Sequence, residues 1–183
     1  MSHKGEHIDV LLKLCLEGKQ SAQLEIYNRY HRAMYNTALR IVKKSEEAED
    51  VMQESFLSAF TKLHTFKAEV TFGSWLKRIV INNSIQHYRK QQKMNQIALE
   101  DVLYRVEEEV VVNDHHALSE LKAQKVMETM NRLKDNYRVS LTLHLIEGYD
   151  YREVSKIMNI SYANCRTTIS RAKESLRKKL VNT

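Results

Sequence analysis

The sequence predicts an all-α protein made of two small helical domains joined by an acidic flexible linker. None of its 183 residues is proline and only four are glycine, so few residues interrupt a helix. Apolar residues recur three or four positions apart through most of the chain, which is the spacing of amphipathic helices. The glycines never cluster, and this excludes the glycine-rich loops that bind nucleotide phosphates.

Three helices are predicted in the N-terminal half. The first has an apolar stripe over residues 24–41, and the second has one over residues 48–63, with Ser45 as its expected N-cap. The pattern breaks over residues 66–72 and resumes at Trp75. A lone tryptophan on such a stripe is more often part of the core than of a binding site, so we assign it to the core.

The chain divides where the helical spacing fails, from about residue 91 to residue 116. Residues 95–116 hold six acidic side chains and one basic one. We therefore predict a helical domain over residues 1–93, an acidic linker over residues 94–117 and a second helical domain over residues 118–183.

Positive charge is concentrated in two blocks of a chain whose net charge is +6. Residues 62–93 carry seven lysines and arginines against Glu69, and residues 161–183 carry six against Glu174. Residues 45–60, in contrast, hold five acidic residues and no basic one. Two basic blocks in separate domains indicate two contacts with nucleic acid.

Cysteine usage and hydropathy indicate a cytoplasmic protein. Cys15 and Cys165 stand at opposite ends of the chain without paired spacing, which is typical of thiols in a reducing compartment. The N-terminus has no apolar signal core, and no apolar run approaches 18 residues. We expect no direct insertion into a membrane.

A helix-turn-helix is predicted at about residues 150–173. Gly148 stands where a helix that begins at Asp135 needs a left-handed residue, and Asp150 with Glu153 forms a capping-box pattern for the next helix. That short helix ends at Asn159, which tolerates left-handed geometry. Ser161 then caps a long basic helix that begins at residue 162.

The outward face of this last helix is rich in groups that bind DNA. Arg166 is suited to a guanine edge, and Arg171 and Lys173 are suited to phosphates. The alternative is an ordinary solvated helical hairpin, but capping, turn and one-sided charge coincide here. The predicted contact residues are Asn164, Arg166, Thr167, Thr168, Ser170, Arg171 and Lys173.

In its motifs the chain resembles the bacterial RNA polymerase sigma factors of the sigma-70 family, extracytoplasmic-function (ECF) group. The N-terminal signature includes Glu46-Glu47-Ala48-Glu49-Asp50-Val51-Met52-Gln53-Glu54-Ser55-Phe56, then Phe72-x-x-Trp75-Leu76-x-x-Ile79, Asn82 and Tyr88-Arg89-Lys90. The C-terminal signature is Leu133-x-x-x-x-Arg138, Glu147-Gly148, Glu153-Val154, Ile160-Ser161 and Ser170-Arg171-Ala172. No single motif is specific, but their order and spacing together are.

The resemblance implies a dissociable transcription-initiation subunit with no catalytic residue, cofactor or metal. Its implied partners are the RNA polymerase core enzyme, promoter DNA and an anti-sigma factor. Region 2 would dock on the polymerase clamp and melt the −10 element, and region 4 would bind the −35 element. The implied core-binding residues are Asp50, Gln53, Glu54 and Phe56.

For −10 recognition, the resemblance places the capture of a flipped base in the non-periodic segment 66–72. DNA melting leaves bases unstacked, and the protein must offer a binding place for them. Stacking on protein stabilises an unstacked base by roughly 1–3 kcal/mol. The implied −10 contacts are Lys67, Thr71, Phe72, Ser74, Arg78, Asn82, Gln86, Arg89 and Lys90.

Several residues depart from the family pattern. Gln86 stands where an acidic residue is usual, and Thr168 replaces a usual arginine. Lys134 replaces a usual proline, so we expect Asp135 to cap the helix that follows. Ala163-Asn164-Cys165 replaces the usual Gly-Thr-Val.

Two other functional classes fit parts of the sequence. A stand-alone helix-turn-helix regulator would carry a receiver domain or ligand pocket upstream, but the N-terminal half lacks the alternating strands of either. An enzyme with a carboxylate-bridged metal pair would use Glu-x-x-His motifs, and none of the eight histidines has a glutamate three residues earlier.

Overall fold

The computed structural model describes residues 7–99 and 118–181. Every regular element in these ranges is helical, and the contacts between residues divide the chain into two units between residues 100 and 101. This confirms the predicted all-α class with two helical domains. The helices are α1 (Ile8–Leu16), α2 (Gln20–Val42), α3 (Ser45–Thr61), α4 (Phe72–Leu99), α5 (Leu118–Asn131), α6 (Asp135–Leu141), α7 (Tyr151–Met158) and α8 (Tyr162–Val181).

The end of α4 differs from the sequence prediction. Helical spacing fails near residue 91, yet the helix continues to Leu99, six residues beyond the predicted domain end at residue 93. Residues 91–99 contain glutamine, lysine, methionine, alanine and leucine, which favour helix without forming an apolar stripe. The rest of the predicted acidic linker, residues 100–117, lies outside the described residues.

The first unit is built around α2, α3 and α4, which pack against one another, with α1 packed on α2. The buried face of α2 runs through Ala22 and Ile26 rather than through Leu24, whose side chain is 60% exposed. The predicted stripe is therefore wrong at Leu24 and correct from Met34 onward. The core that includes the buried face of α2 also contains Leu76 and Val80 of α4, both completely buried.

Helix α3 does not begin as predicted. Lys43 ends α2 in a left-handed conformation (φ 76°), and Lys44 takes the N-cap position without a side-chain cap. Ser45 is consequently the first helical residue, and its hydroxyl lies 2.9 Å from that of Tyr35 on α2. Glu46 and Glu47 occupy the first turn, where the helix dipole favours negative charge.

An aromatic cluster packs the segment between α3 and α4 against the start of α4. Phe66, Phe72 and Trp75 have ring centroids 5.4–5.8 Å apart, and Tyr30 of α2 meets Phe72 edge-on at 5.5 Å. Trp75 is half-buried against the hydrophobic core. This location agrees with the assignment of Trp75 to the core.

The second unit consists of α5–α8, with a π-helical turn over Thr142–Ile146 that extends α6. Lys134 is the N-cap of α6 and makes no side-chain cap bond, so the expectation that Asp135 caps this helix is wrong. Asp135 is the first helical residue, and its Oδ1 lies 3.3 Å from Nη2 of Arg138, which is almost completely buried.

A pH effect on stability is expected from Cys15. Burial raises the pKa of this thiol from 9.0 to about 11. The unfolded thiol therefore loses its proton first as pH rises, and the free energy of unfolding falls between about pH 9 and 11. At about 1.4 kcal/mol per pKa unit, the full loss is about 2–3 kcal/mol.

Urea unfolding at pH 8 and pH 10.5, followed by Trp75 fluorescence, measures this loss. The Cys15→Ala variant is the control, because tyrosines and lysines titrate in both proteins and only the thiol differs. The variant should lose less stability over this pH range than the wild type. Equal losses in the two proteins would contradict the prediction.

Candidate nucleic-acid interface

The turn that leads into α7 has the predicted geometry. Gly148 adopts φ 80°, a left-handed conformation that costs glycine little and other residues more. The amide of Tyr149 donates to the carbonyl of Leu143 (3.0 Å), which closes the end of the π turn. Asp150 is the N-cap of the next helix, and α7 begins at Tyr151.

Helix α7 starts with a complete capping box. The Asp150 Oδ1 accepts from the amides of Arg152 (2.7 Å) and Glu153 (2.8 Å), and Glu153 Oε2 accepts from the amide of Asp150 (2.9 Å). The helix ends at Asn159 in the left-handed conformation (φ 51°). Both features were predicted from local sequence and both are confirmed.

Removal of the cap is expected to loosen the helix-turn-helix. Asp150→Ala deletes the acceptor for two first-turn amides and should lower the free energy of unfolding of the second unit by about 1 kcal/mol. Asp150→Ser keeps an N-cap oxygen and is the matched control. Chemical unfolding followed by far-ultraviolet circular dichroism compares them, and equal midpoints for the alanine and serine variants would contradict the role of the cap.

Helix α8 is held by one face. Its N-terminus is capped by Ser161, whose Oγ accepts from the amide of Asn164 (3.2 Å). After this cap, four residues on the inner face of α8 are buried and pack the helix against the rest of the unit. The buried residues are Cys165, Ile169, Ala172 and Leu176.

The opposite face of α8 carries the predicted −35 residues. Asn164, Arg166, Thr167, Ser170 and Arg171 are exposed, whereas Thr168 and Lys173 are half-buried. Both threonine hydroxyls bond within the helix. Thr167 donates to the carbonyl of Ala163 (3.0 Å), and Thr168 donates to the side-chain oxygen of Asn164 (3.3 Å). Among these predicted contacts, Arg166 and Arg171 are the long donors that are exposed.

Helix α4 presents the second basic surface. Five of the predicted −10 residues stand four positions apart and are all exposed, so they form a row that winds gradually around the helix. Arg89 beside this row is half-buried. The row consists of Ser74, Arg78, Asn82, Gln86 and Lys90.

The segment before α4 contains two further predicted contacts. Lys67 and Thr71 are exposed, and Ala68 between them has a left-handed backbone (φ 56°). Thr71 also caps α4, because its Oγ1 accepts from the amide of Ser74 (3.3 Å). The two hydroxyls lie 2.9 Å apart, which links the segment to the row on α4.

Phe72 is placed differently from the expectation. Its side chain is 3% exposed and packs in the aromatic cluster with Tyr30, Phe66 and Trp75, so it does not line an open pocket. The alternation of polar and apolar residues is too weak in this short segment to indicate which ring faces inward. We therefore assign Phe72 to the core, where it supports the segment that carries Lys67 and Thr71.

The acidic face of α3 is exposed as predicted for Asp50, Gln53 and Glu54. Phe56 is instead 3% exposed, and its ring packs 4.9 Å from that of Tyr27, so it is a core residue and not a surface contact. Sequence reasoning missed Leu57, which is 69% exposed one turn after Gln53 and Glu54. Gln53, Glu54 and Leu57 follow Asp50 by three, four and seven positions, and residues at this spacing share one face of a helix. This spacing is the sequence signal that could have identified Leu57.

Within the described residues, no group of three or more histidine, cysteine or acidic side chains is arranged to hold a metal ion. Glu47, one of the carboxylates on α3, is engaged by Lys44 (3.2 Å) and by Gln91 of α4. In the same part of the chain, no helix combines the length and apolarity needed to cross a membrane.

Comparison with known proteins identifies the same two regions. Family models match residues 26–94 (Sigma-70 region 2) and residues 123–176 (Sigma-70, region 4). The ECF RNA polymerase sigma factor SigM of Bacillus subtilis (strain 168) is 33% identical over 153 residues, which cover 84% of this chain and 91% of the relative. SigW of the same organism is 27% identical over 176 residues, covering 92% and 94%.

A likeness of fold extends to a co-crystal structure of the sigma factor RpoE in complex with the anti-sigma factor NepR from Bartonella quintana. The two chains are 20% identical, and the TM-score is 0.61. The alignment covers 85% of this chain and 94% of that one.

Proposed function

The chain belongs to the ECF group of sigma-70 RNA polymerase sigma factors, and we propose that it assembles with the polymerase core, directs the enzyme to specific promoters and helps to melt them. The observation that carries this conclusion is the capped helix-turn-helix with Arg166 and Arg171 exposed on α8. The chain also carries a row of exposed polar and basic residues on α4. The chemistry of RNA synthesis belongs to the polymerase. This chain positions the enzyme and holds DNA.

We assign a separate role to each of the two units. The exposed face of α3 with Asp50, Gln53 and Glu54 docks on the polymerase core, and the row on α4 follows the −10 element. The exposed Arg78 and Lys90 of this row suit phosphates, and the exposed polar side chains between them can contact bases. The outward face of α8 enters the major groove at the −35 element.

The proposed setting of this function is the cytoplasm, with an anti-sigma factor as a further partner. The RpoE structure that resembles this fold contains RpoE with its anti-sigma factor NepR, which supports a similar form of control here. Such a partner would act by covering the surfaces that bind polymerase or DNA.

Reconstitution tests the proposed function. The purified chain is mixed with sigma-free core polymerase and genomic DNA, and transcript starts are mapped. We expect starts at a set of sites that share two sequence elements and that are absent when the chain is omitted. If the chain instead binds DNA without core and adds no starts, it is a stand-alone regulator and the proposal is wrong.

Specificity at the −35 element is expected to depend on Arg166. A bidentate contact with guanine contributes about 1–3 kcal/mol of discrimination, so Arg166→Ala should lower the preference for a mapped promoter over a scrambled −35 element by about tenfold. Lys178→Ala is the control on the same helix. The Lys178 ammonium lies 2.8 Å from Glu174, and its loss should weaken binding to both DNAs alike.

Holoenzyme binding to the two DNAs measures both effects. If Arg166→Ala leaves the ratio of the two affinities unchanged, the orientation of α8 in the groove is not the proposed one.

A further inference from the structure

Tyr151, the first residue of α7, contacts two side chains from other elements of the second unit. Its ring stacks on that of His144 in the π turn, with centroids 4.7 Å apart and planes inclined by 26°. The ammonium of Lys173 on α8 lies over the same ring, 5.9 Å from its centroid. One aromatic ring thus joins the π turn, α7 and α8.

His144 is itself held in place. Its Nδ1 lies 2.9 Å from the carbonyl oxygen of Tyr149. A carbonyl can only accept, so Nδ1 carries the proton and donates this bond. The imidazole ring is therefore oriented by the backbone of the turn, and it presents a fixed face to Tyr151.

Lys173 differs from Lys178 in what restrains it. Lys178 is paired with Glu174 at 2.8 Å, and this carboxylate raises the pKa of Lys178. Lys173 packs on an aromatic ring, which attracts a cation without neutralising it. A lysine on a flexible stem is thereby held in one region while its positive charge remains available to a phosphate.

The location of this lysine bears on DNA binding. In helix-turn-helix proteins the first helix crosses the DNA backbone, and the N-terminus of α7 is also the site of the capping box. That box places the carboxylates of Asp150 and Glu153 beside Tyr151. A cation held over the Tyr151 ring counters the repulsion between these carboxylates and a phosphate.

We propose that Tyr151 is a positioning residue: stacked on His144, it holds the ammonium of Lys173 at the N-terminal end of α7 so that it contacts a phosphate of the −35 DNA. This inference rests on the proposed function of the second unit. Tyr151 itself need not touch DNA, and its effect on binding passes through Lys173.

A double-mutant cycle tests the proposal on the assembled holoenzyme and a promoter fragment recovered by the mapping of transcript starts. The variants are Tyr151→Leu, Lys173→Met and their combination, with binding measured over a range of salt concentrations. Lys173→Met should reduce the slope of log K against log salt by about 0.9, the value for one phosphate contact. Tyr151→Leu should weaken binding about two- to fivefold at low salt, the fold-change for a cation–aromatic contact at an exposed site.

The cycle separates positioning from a merely structural role. If Tyr151 acts through Lys173, Tyr151→Leu has little further effect in the Lys173→Met protein, and Tyr151→Phe, which keeps the ring, binds like the wild type. In the control background, Lys178→Met, the Tyr151→Leu effect should persist in full. An equal loss in both lysine backgrounds overturns the inference.

The mapping of transcript starts tests the proposed function independently of the double-mutant cycle. A wild-type holoenzyme that selects mapped promoters while the cycle shows no coupling leaves the proposed function intact and overturns the role of Tyr151. A wild-type protein that adds no transcript starts overturns both.

Discussion

Ile169→Ala is expected to unfold most of the C-terminal unit while the N-terminal unit stays folded. Ile169 is completely buried on α8, between Cys165 and Ala172 on the inner stripe. Truncating a buried isoleucine to alanine costs about 2–5 kcal/mol. A domain of this size rarely has more than about 3–5 kcal/mol of stability from its core, so the loss is comparable with the total.

Two spectroscopic signals distinguish the units in this experiment. Trp75 is the single tryptophan of the chain, and it lies in the N-terminal unit, so its fluorescence follows that unit alone. Circular dichroism follows the helices of both. We expect the variant to lose helical signal at 25 °C and to keep the fluorescence transition of the wild type.

The control for Ile169→Ala is Val181→Ala on the same helix, where the side chain is 84% exposed. This variant should keep the helical signal of the wild type, because little apolar surface is lost. If Ile169→Ala retains the wild-type signal and midpoint, α8 does not depend on its inner stripe for stability.

The helix-turn-helix was predictable from sequence because its signals are local. The left-handed residues at Gly148 and Asn159 and the capping box at Asp150 each depend on backbone and side chains within a few positions. Local preference and tertiary packing agree here, since the buried stripe of α8 lies opposite its basic face. The whole motif could therefore be placed to the residue.

The N-terminal unit was less predictable because tertiary contacts decide it. Whether Phe56 and Phe72 face inward depends on Tyr27 and Tyr30, which are far away in sequence. Ser45 illustrates the same limit, because its hydroxyl meets Tyr35 instead of capping α3. For the extension of α4, periodicity was the wrong criterion, since a helix can continue on propensity alone.

Polar contacts also join α3 to α4, and sequence reasoning did not find them. The side chain of Asn83 donates to Ser55 Oγ (3.0 Å), which in turn donates to the carbonyl of Val51 (2.6 Å). Near the start of α3, Glu47 meets Gln91 and lies 3.6 Å from Nδ1 of His87. The proposed polymerase-binding helix and the proposed −10 helix are thus fixed to each other through their inner faces, so their outer faces keep a constant relative orientation.

Glu54→Lys is expected to weaken assembly with the polymerase core by about thirtyfold or more. Glu54 is exposed on α3 one turn after Asp50 and beside the exposed Leu57, in the middle of the proposed docking face. Reversing one charge there replaces attraction by repulsion, which costs about 2 kcal/mol or more at an interface. The fold should not change, because the Glu54 side chain lies on the solvent side of α3.

The size of this effect identifies where the partner binds. Glu17→Lys changes the net charge equally at an exposed position at the end of α1, where a lysine is favourable to the helix dipole. Titration of fluorescently labelled core with each variant should give nearly wild-type affinity for Glu17→Lys and a large loss for Glu54→Lys. If both lose affinity alike, the polymerase responds to the overall charge of the unit, and the acidic face of α3 is a solvated surface and not the docking site. A loss confined to Glu54→Lys requires a positively charged surface on the core within contact distance of α3.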